Sequence, residues 1–137
     1  MIAKEKLNIL WSLEQTAEKY ADRVAVSDVN QELTWKELVK KAQVIGAELS
    51  EKVQPGNPVP VLLEKSSETL AVMLGIVYAG CFYVPVNPMN PTERLRKIME
   101  KLDPEVIISD EKGKEQLAAV GNGLENKVMG PEALTTA

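Results

Sequence analysis

The sequence predicts an α/β fold, with an N-terminal helix and a β-hairpin followed by a βαβαβ unit that has a parallel sheet. Three observations lead to this prediction. An amphipathic helical pattern and two short strand patterns come first, apolar strands then alternate with helical patterns from residue 59, and the connections between them are short. Strands that alternate with helices over short connections are typical of parallel sheets with right-handed crossovers.

A helix and a hairpin are predicted at the amino end. Residues 9–20 have helical periodicity, and Asn8 is the predicted cap. Residues 24–29 are a predicted strand, which a polar turn connects to a second short strand at residues 32–34. The apolar stripe of the helix consists of Leu10, Leu13, Ala17 and Tyr20.

The second helix has the strongest start signal in the chain. Thr34 is followed three residues later by Glu37, which is the spacing of a capping box in which each side chain accepts a hydrogen bond from a free backbone N–H. Leu33 and Leu38 flank this pair at the spacing of a hydrophobic staple. A loop with proline and glycine at residues 51–58 ends the segment. The predicted buried stripe consists of Leu38, Ala42, Ile45 and Leu49.

The βαβαβ unit begins with an apolar strand at residues 59–63. Ser66 and Ser67 offer a cap for an uncharged helix over residues 70–79, which a glycine terminates. A second strand is predicted at residues 82–86.

The unit continues with another helix, for which Asn90 is the predicted cap, Pro91 the first-turn proline and Glu93 the first-turn acid. This helix is expected to end near residue 102, and a third strand is predicted at residues 105–109.

We expect residues 1–137 to form a single, partial domain. Residues 110–137 are predicted to be a weakly structured tail, with a weak helix near residues 115–120 and a short strand near residues 127–129. The apolar helix at residues 70–79 has no polar side. We therefore expect the isolated chain to cover this helix by dimerisation, by strand exchange or by folding of its own tail, and self-association is the outcome that we favour.

Composition excludes several classes of function. A net charge of −4 with dispersed basic residues argues against a nucleic-acid surface. The absence of histidine excludes catalytic triads and histidine-based zinc sites, and a single cysteine forms no internal disulfide. The amino end carries no secretion signal, so a cytoplasmic location is expected. Residues 70–86 are uncharged, but they are shorter than the roughly 20 residues of a membrane span and contain two glycines and a proline.

Two stretches resemble motifs of the adenylate-forming (AMP-binding) enzymes. LTWKEL, at residues 33–38, is similar to that superfamily's LTYxEL motif. YAGCFYVPVNPMNPTERL, at residues 78–95, is similar to KAGxAYVPxDPxxPxERL. Tyr78, Phe82 and Asn87 depart from the second motif. Asn87 stands where amino-acid-activating domains typically have aspartate, and acyl-CoA ligases more often have VNP, so both kinds of carboxylate substrate stay open.

The resemblance implies an ATP-dependent ligase. Such an enzyme uses ATP and Mg²⁺ to activate an amino acid or another acyl acid as an acyl-adenylate. It then transfers the acyl group to a thiol, either of coenzyme A or of a carrier-protein pantetheine. The phosphate loop, magnesium ligands, ribose-binding aspartate and catalytic lysine of the family lie beyond the matched stretch. The resemblance therefore implies a scaffold fragment that is inactive alone and works with the remainder of a parent enzyme.

We accordingly assign no catalytic, cofactor-binding or metal-binding residue. Ser66 and Ser67 are interpreted as a plain helix cap because nearby glutamates disfavour an anion, and Cys81 is interpreted as a core residue. For Arg94 and Arg96, a solvated helix face and an approach to a coenzyme A phosphate both stay open. A stand-alone binding or interaction module without catalysis is the alternative function.

Overall fold

The computed structural model describes residues 9–64 and 66–132. The predicted cap Asn8 and residues 133–137 of the predicted tail lie outside the described residues. The chain begins with α1 (Ile9–Lys19), followed by the antiparallel hairpin strands β1 (Val24–Ser27) and β2 (Glu32–Thr34). The predicted helix and hairpin are confirmed.

Helix α2 (Trp35–Ser50) begins at the predicted capping box. The Thr34 hydroxyl accepts a hydrogen bond from Glu37 N at 3.2 Å, and Glu37 Oε1 accepts one from Thr34 N at 3.0 Å. The N–H of Thr34 lowers the pKa of the Glu37 carboxyl because it stabilises the charged form. The predicted stripe is also confirmed, because Leu38, Ala42, Ile45 and Leu49 are each at most 1% exposed.

A four-stranded parallel sheet forms the rest of the fold, with the strand order β4-β3-β5-β6. The predicted βαβαβ unit is confirmed, and β5 lies on the opposite side of β3 from β4. The strands are β3 (Pro58–Leu62), β4 (Phe82–Pro85), β5 (Ile107–Ser109) and β6 (Val128–Met129). The connecting segments contain α3 (Ser67–Tyr78), α4 (Thr92–Leu102), α5 (Glu111–Val120) and a 3₁₀ helix (Leu124–Lys127).

The sheet separates two apolar cores. Successive strand residues point to opposite faces, so Val61 joins one core and Leu62 the other. The first core contains the buried faces of α2 and α3, and the second contains those of α4 and α5. Helix α3 therefore lies on one face of the sheet, whereas α4 and α5 lie on the other.

Helix α3 is covered within the chain more completely than the sequence suggested. Val72, Leu74 and Ile76 are buried, and within residues 70–79 only Leu70, at 37%, is exposed. Helix α2 packs along α3 and supplies this cover. The apolar surface of α3, taken by itself, predicted self-association, whereas the buried stripe of α2 packs against that surface within the chain.

Helix α4 corrects one predicted cap. Asn90 is not the N-cap, because Pro91 occupies that position and no side chain makes a capping hydrogen bond. The Pro91 carbonyl accepts from Arg94 N at 2.9 Å and from Leu95 N at 3.0 Å, so the helix begins after the proline. Asn90 instead donates its backbone N–H to the Asn87 carbonyl at 3.1 Å, within the preceding turn.

The segment after residue 110 contains more regular structure than the weak helix expected near residues 115–120. Helix α5 already begins at Glu111, where the Asp110 carboxylate accepts a hydrogen bond from Gly113 N at 2.8 Å. Strand β6 pairs with β5 near the predicted position. No helix among residues 9–64 and 66–132 is both long and apolar enough to cross a membrane.

Candidate functional site

The carboxyl ends of the parallel strands form the candidate site. The connection after β3 leads to α3 on one face, while those after β4 and β5 lead to α4 and α5 on the other. In open α/β sheets, ligands bind in the crevice that opens where neighbouring connections diverge in this way. A cleft of about 600 Å³ lies at this edge, and we call it the edge cleft.

The edge cleft is lined mainly by apolar side chains. Met89 is 69% exposed and lies in the turn between β4 and α4. The polar members of the described lining are Glu64, Thr69, Asn87, Asp110 and Lys112. The apolar members are Val61, Leu63, Met73, Pro85, Val86, Pro88 and Met89. The volume and apolar lining are typical of small-molecule pockets, which span roughly 300–1,000 Å³.

A second, smaller pocket of about 290 Å³ lies between the β1–β2 loop and the amino end of α3, and we call it the hairpin pocket. It shares Leu63, Glu64, Thr69 and Asp110 with the edge cleft. Every charged side chain in its described lining is acidic, namely Asp28, Glu64, Glu68 and Asp110.

Asp28 connects the hairpin to α3. Its Oδ2 atom accepts hydrogen bonds from Ser67 N and Ser67 Oγ, both at 2.7 Å. Its Oδ1 atom accepts from Asn30 N at 2.8 Å and from Gln31 N at 2.9 Å. The Ser67 amide, followed by the Ser67 hydroxyl and the two loop amides, holds the pKa of the Asp28 carboxyl well below its usual range. Asp28 was not among the residues that the sequence pattern indicated as functional.

The helix amino ends at this edge already carry acceptors from the chain itself. Ser66 Oγ accepts from Thr69 N at 3.1 Å, which confirms the predicted cap of α3, and Asp28 takes the Ser67 amide. At α5, Asp110 takes the Gly113 amide. Phosphate groups bind helix amino ends through such amides and a favourable positive field. At the amino ends of α3 and α5, these amides are already bonded to a serine hydroxyl and to two aspartate carboxylates. Both ends are therefore poorly suited to bind an anion.

The other residues that the sequence analysis weighed lie apart from the edge cleft. Cys81 is 8% exposed, burial raises the pKa of its thiol, and its Sγ contacts the Gln54 carbonyl at 3.4 Å. Arg96 pairs with Glu93 and Glu100 along α4. Arg94 is exposed on the same helix. Within the part of the chain that the structure describes, no three Cys, Asp or Glu side chains are grouped to hold a metal ion.

Residues 13–133 match the model of a protein family described as AMP-binding enzyme. The chain belongs to the AMP-binding enzyme family. The match includes both stretches on which the resemblance was based, so that prediction is confirmed.

Members of the family that resemble this chain are much longer. Bacitracin synthase 1 of Bacillus licheniformis is 37% identical over 107 residues, which are 77% of this chain and 2% of that protein. Among solved structures, VinN has 27% identity and a TM-score of 0.83, over 92% of this chain and 32% of VinN. The nonribosomal peptide synthetase FmoA3 in an AMPPNP-bound form has 25% identity and a TM-score of 0.79, over 93% of this chain and 14% of FmoA3. This chain thus spans a third or less of each of these proteins, and the two solved structures share its α/β fold.

Proposed function

We propose that residues 1–137 are the N-terminal scaffold of an ATP-dependent ligase that activates a carboxylate as an acyl-adenylate and transfers it to a thiol. The family match over residues 13–133, together with coverage of only 32% of VinN, is the observation that carries this proposal. Under it, ATP and Mg²⁺ are held by the remainder of the parent enzyme, and we expect the reaction to take place in the cytoplasm.

The chemistry of the carboxyl edge supports a scaffold role. An adenylating site must neutralise the negative charge that develops on phosphates. In the described lining of the edge cleft, two carboxylates, Glu64 and Asp110, outnumber the single cation, Lys112. This part of the fold therefore supplies a mainly apolar surface rather than a phosphate-binding site.

An amino acid is the substrate class that we favour for the parent enzyme. The proteins similar to this chain include bacitracin synthase 1, which shares 37% identity with it. A further VinN structure is described as a complex with L-aspartate and has 28% identity. The acceptor in such a parent would be a carrier-protein pantetheine, with coenzyme A as the other thiol that the family uses.

Pyrophosphate exchange into ATP tests this proposal. The full product of the gene is incubated with a panel of amino acids and acyl acids, and the 137-residue chain is the matched control. We expect substrate-dependent exchange by a product of several hundred residues and none by the chain alone. An open reading frame that stops near residue 137, or turnover by the isolated chain, would contradict the proposal.

Self-association of the 137-residue chain stays a prediction. Sedimentation velocity at two concentrations tenfold apart measures it, and an unchanged monomeric coefficient would contradict it.

A further inference from the structure

The β1–β2 hairpin is not part of the main sheet. It forms its own two-stranded sheet, and a two-stranded hairpin is at most marginally stable alone in water. Its base is held by Leu33, which is buried, and by the hydrogen bond from Trp35 N to the Arg23 carbonyl at 3.0 Å. Its tip is exposed, with Val29 at 100%. The position of the tip therefore depends on contacts made by the loop.

The loop is fixed to α3 by one carboxylate. Asp28 uses one oxygen for the amides of Asn30 and Gln31 within the loop and the other for the amide and hydroxyl of Ser67. Ser67 is 1% exposed and lies 39 residues from Asp28 in sequence. These bonds set the distance between the loop and the helix, which is the width of the hairpin pocket.

The arrangement requires a charged carboxylate. Three of its four donors are backbone N–H groups, which have no capacity to accept a hydrogen bond. A protonated aspartic acid or an asparagine carries a hydrogen-bond donor in place of one of the two carboxylate oxygens. The chain then loses either the bonds to the loop amides or the bonds to Ser67. Among the described residues, the other charged groups in the pocket lining are Glu64, Glu68 and Asp110, and Lys41 Nζ of α2 lies 3.8 Å from Glu68 Oε1.

We propose that Asp28 is a latch, whose charged carboxylate fixes the β1–β2 loop against the amino end of α3 and sets the width of the hairpin pocket. Loss of the charge frees the loop while the base of the hairpin stays packed on α2. The latch involves residues of this chain only and does not depend on the proposed function.

Amide hydrogen exchange of the 137-residue chain, followed by NMR, tests the latch. In Asp28→Asn, the one remaining side-chain oxygen serves only one side of the latch. We therefore expect the amides on at least one side, either Ser67 or Asn30 and Gln31, to exchange roughly tenfold faster or more, because that side loses its acceptor and the loop opens locally. The Ile45 amide, inside α2, should keep its rate and so report an intact fold. Asp22→Asn is the matched control, because Asp22 is an exposed aspartate outside the latch. Rates at the three latch amides within twofold of the parent would overturn the proposal.

Acid titration of the unaltered chain gives a second test that needs no variant. The latch predicts that the amide shifts of Asn30, Gln31 and Ser67 move together, with one midpoint below about 3.9, the ordinary aspartate value. Separate midpoints, or a common midpoint at the ordinary value, would overturn it even if Asp28→Asn does not fold.

Discussion

Two glycines allow α2 and α3 to approach closely, and replacing either one tests the packing of the fold. A Cβ atom at Gly75 would lie 2.5 Å from Ile45 Cγ2 and 3.0 Å from the Ala42 carbonyl oxygen. A Cβ atom at Gly46 would lie 2.6 Å from Tyr78 Cβ. The Ala42 oxygen and Tyr78 Cβ are fixed by the backbone, so side-chain rotation relieves neither of their contacts. The helices would have to separate.

The magnitude follows from two opposing effects. Carbon atoms pack at about 3.5–4.0 Å, so the helices must separate by about 1 Å. Overpacking of a core costs about 1–3 kcal/mol, and the upper half of that range applies because backbone must move. Alanine in a helix interior regains about 1 kcal/mol over glycine. We therefore expect Gly46→Ala and Gly75→Ala each to lower the free energy of unfolding by about 1–2 kcal/mol.

Urea unfolding followed by the fluorescence of Trp11 and Trp35 measures this difference, since the free energy of unfolding falls linearly with denaturant. Ala47→Gly, on the exposed face of α2, isolates the propensity effect in the same helix and should cost about 1 kcal/mol. If Gly46→Ala or Gly75→Ala were as stable as the parent or more so, the close helix crossing would be refuted.

Three further predictions test the caps and the core. Thr34→Ala removes the side-chain acceptor of the capping box and should lower the free energy of unfolding by about 1 kcal/mol in urea. Burial, and then the hydrogen bond to Glu14 at 2.7 Å, raises the pKa of Tyr78 to about 12. An unfolded tyrosine titrates near pH 10, so the folded chain holds the phenol proton more tightly than the unfolded chain does. The resulting contribution to the free energy of unfolding is complete below about pH 10 and is lost towards pH 12. The parent should therefore lose stability over that interval, and Tyr78→Phe should not. Leu95→Ala, at a fully buried position, should lower the free energy of unfolding in urea by about 2–5 kcal/mol. Met89→Ala, at a position that is 69% exposed, should change it by no more than about 0.5 kcal/mol. Equal effects of the two substitutions would contradict the assignment of the core.

Local signals predicted most of the elements because they act over a few residues. The capping box at Thr34 fixes the start of α2, and its apolar stripe is buried as its periodicity required. The start of α5 was missed although its signal was present, since Asp110 stands three residues before Gly113, the spacing of an N-cap. Asn90 was a misleading signal, because an adjacent proline fixed the start of α4 through its own carbonyl.

The candidate site was harder to predict because its parts are distant in sequence. The pairing of β5 with β3 brings Asp110 beside Glu64 at the edge cleft, and no short-range pattern specifies that strand order. The bond between Asp28 and Ser67 likewise depends on how the hairpin packs on α2. The sequence supported membership of a family and the chemistry of that family, whereas the latch became visible only in the folded chain.

Titration of the 137-residue chain with Mg–ATP, followed by amide chemical shifts, tests the central claim most directly. If this chain supplies scaffold while another part of the parent enzyme holds the phosphates, no saturable shift should appear up to millimolar nucleotide. Saturable binding at micromolar ATP, with shifts at the amino ends of α3 and α5, would contradict it.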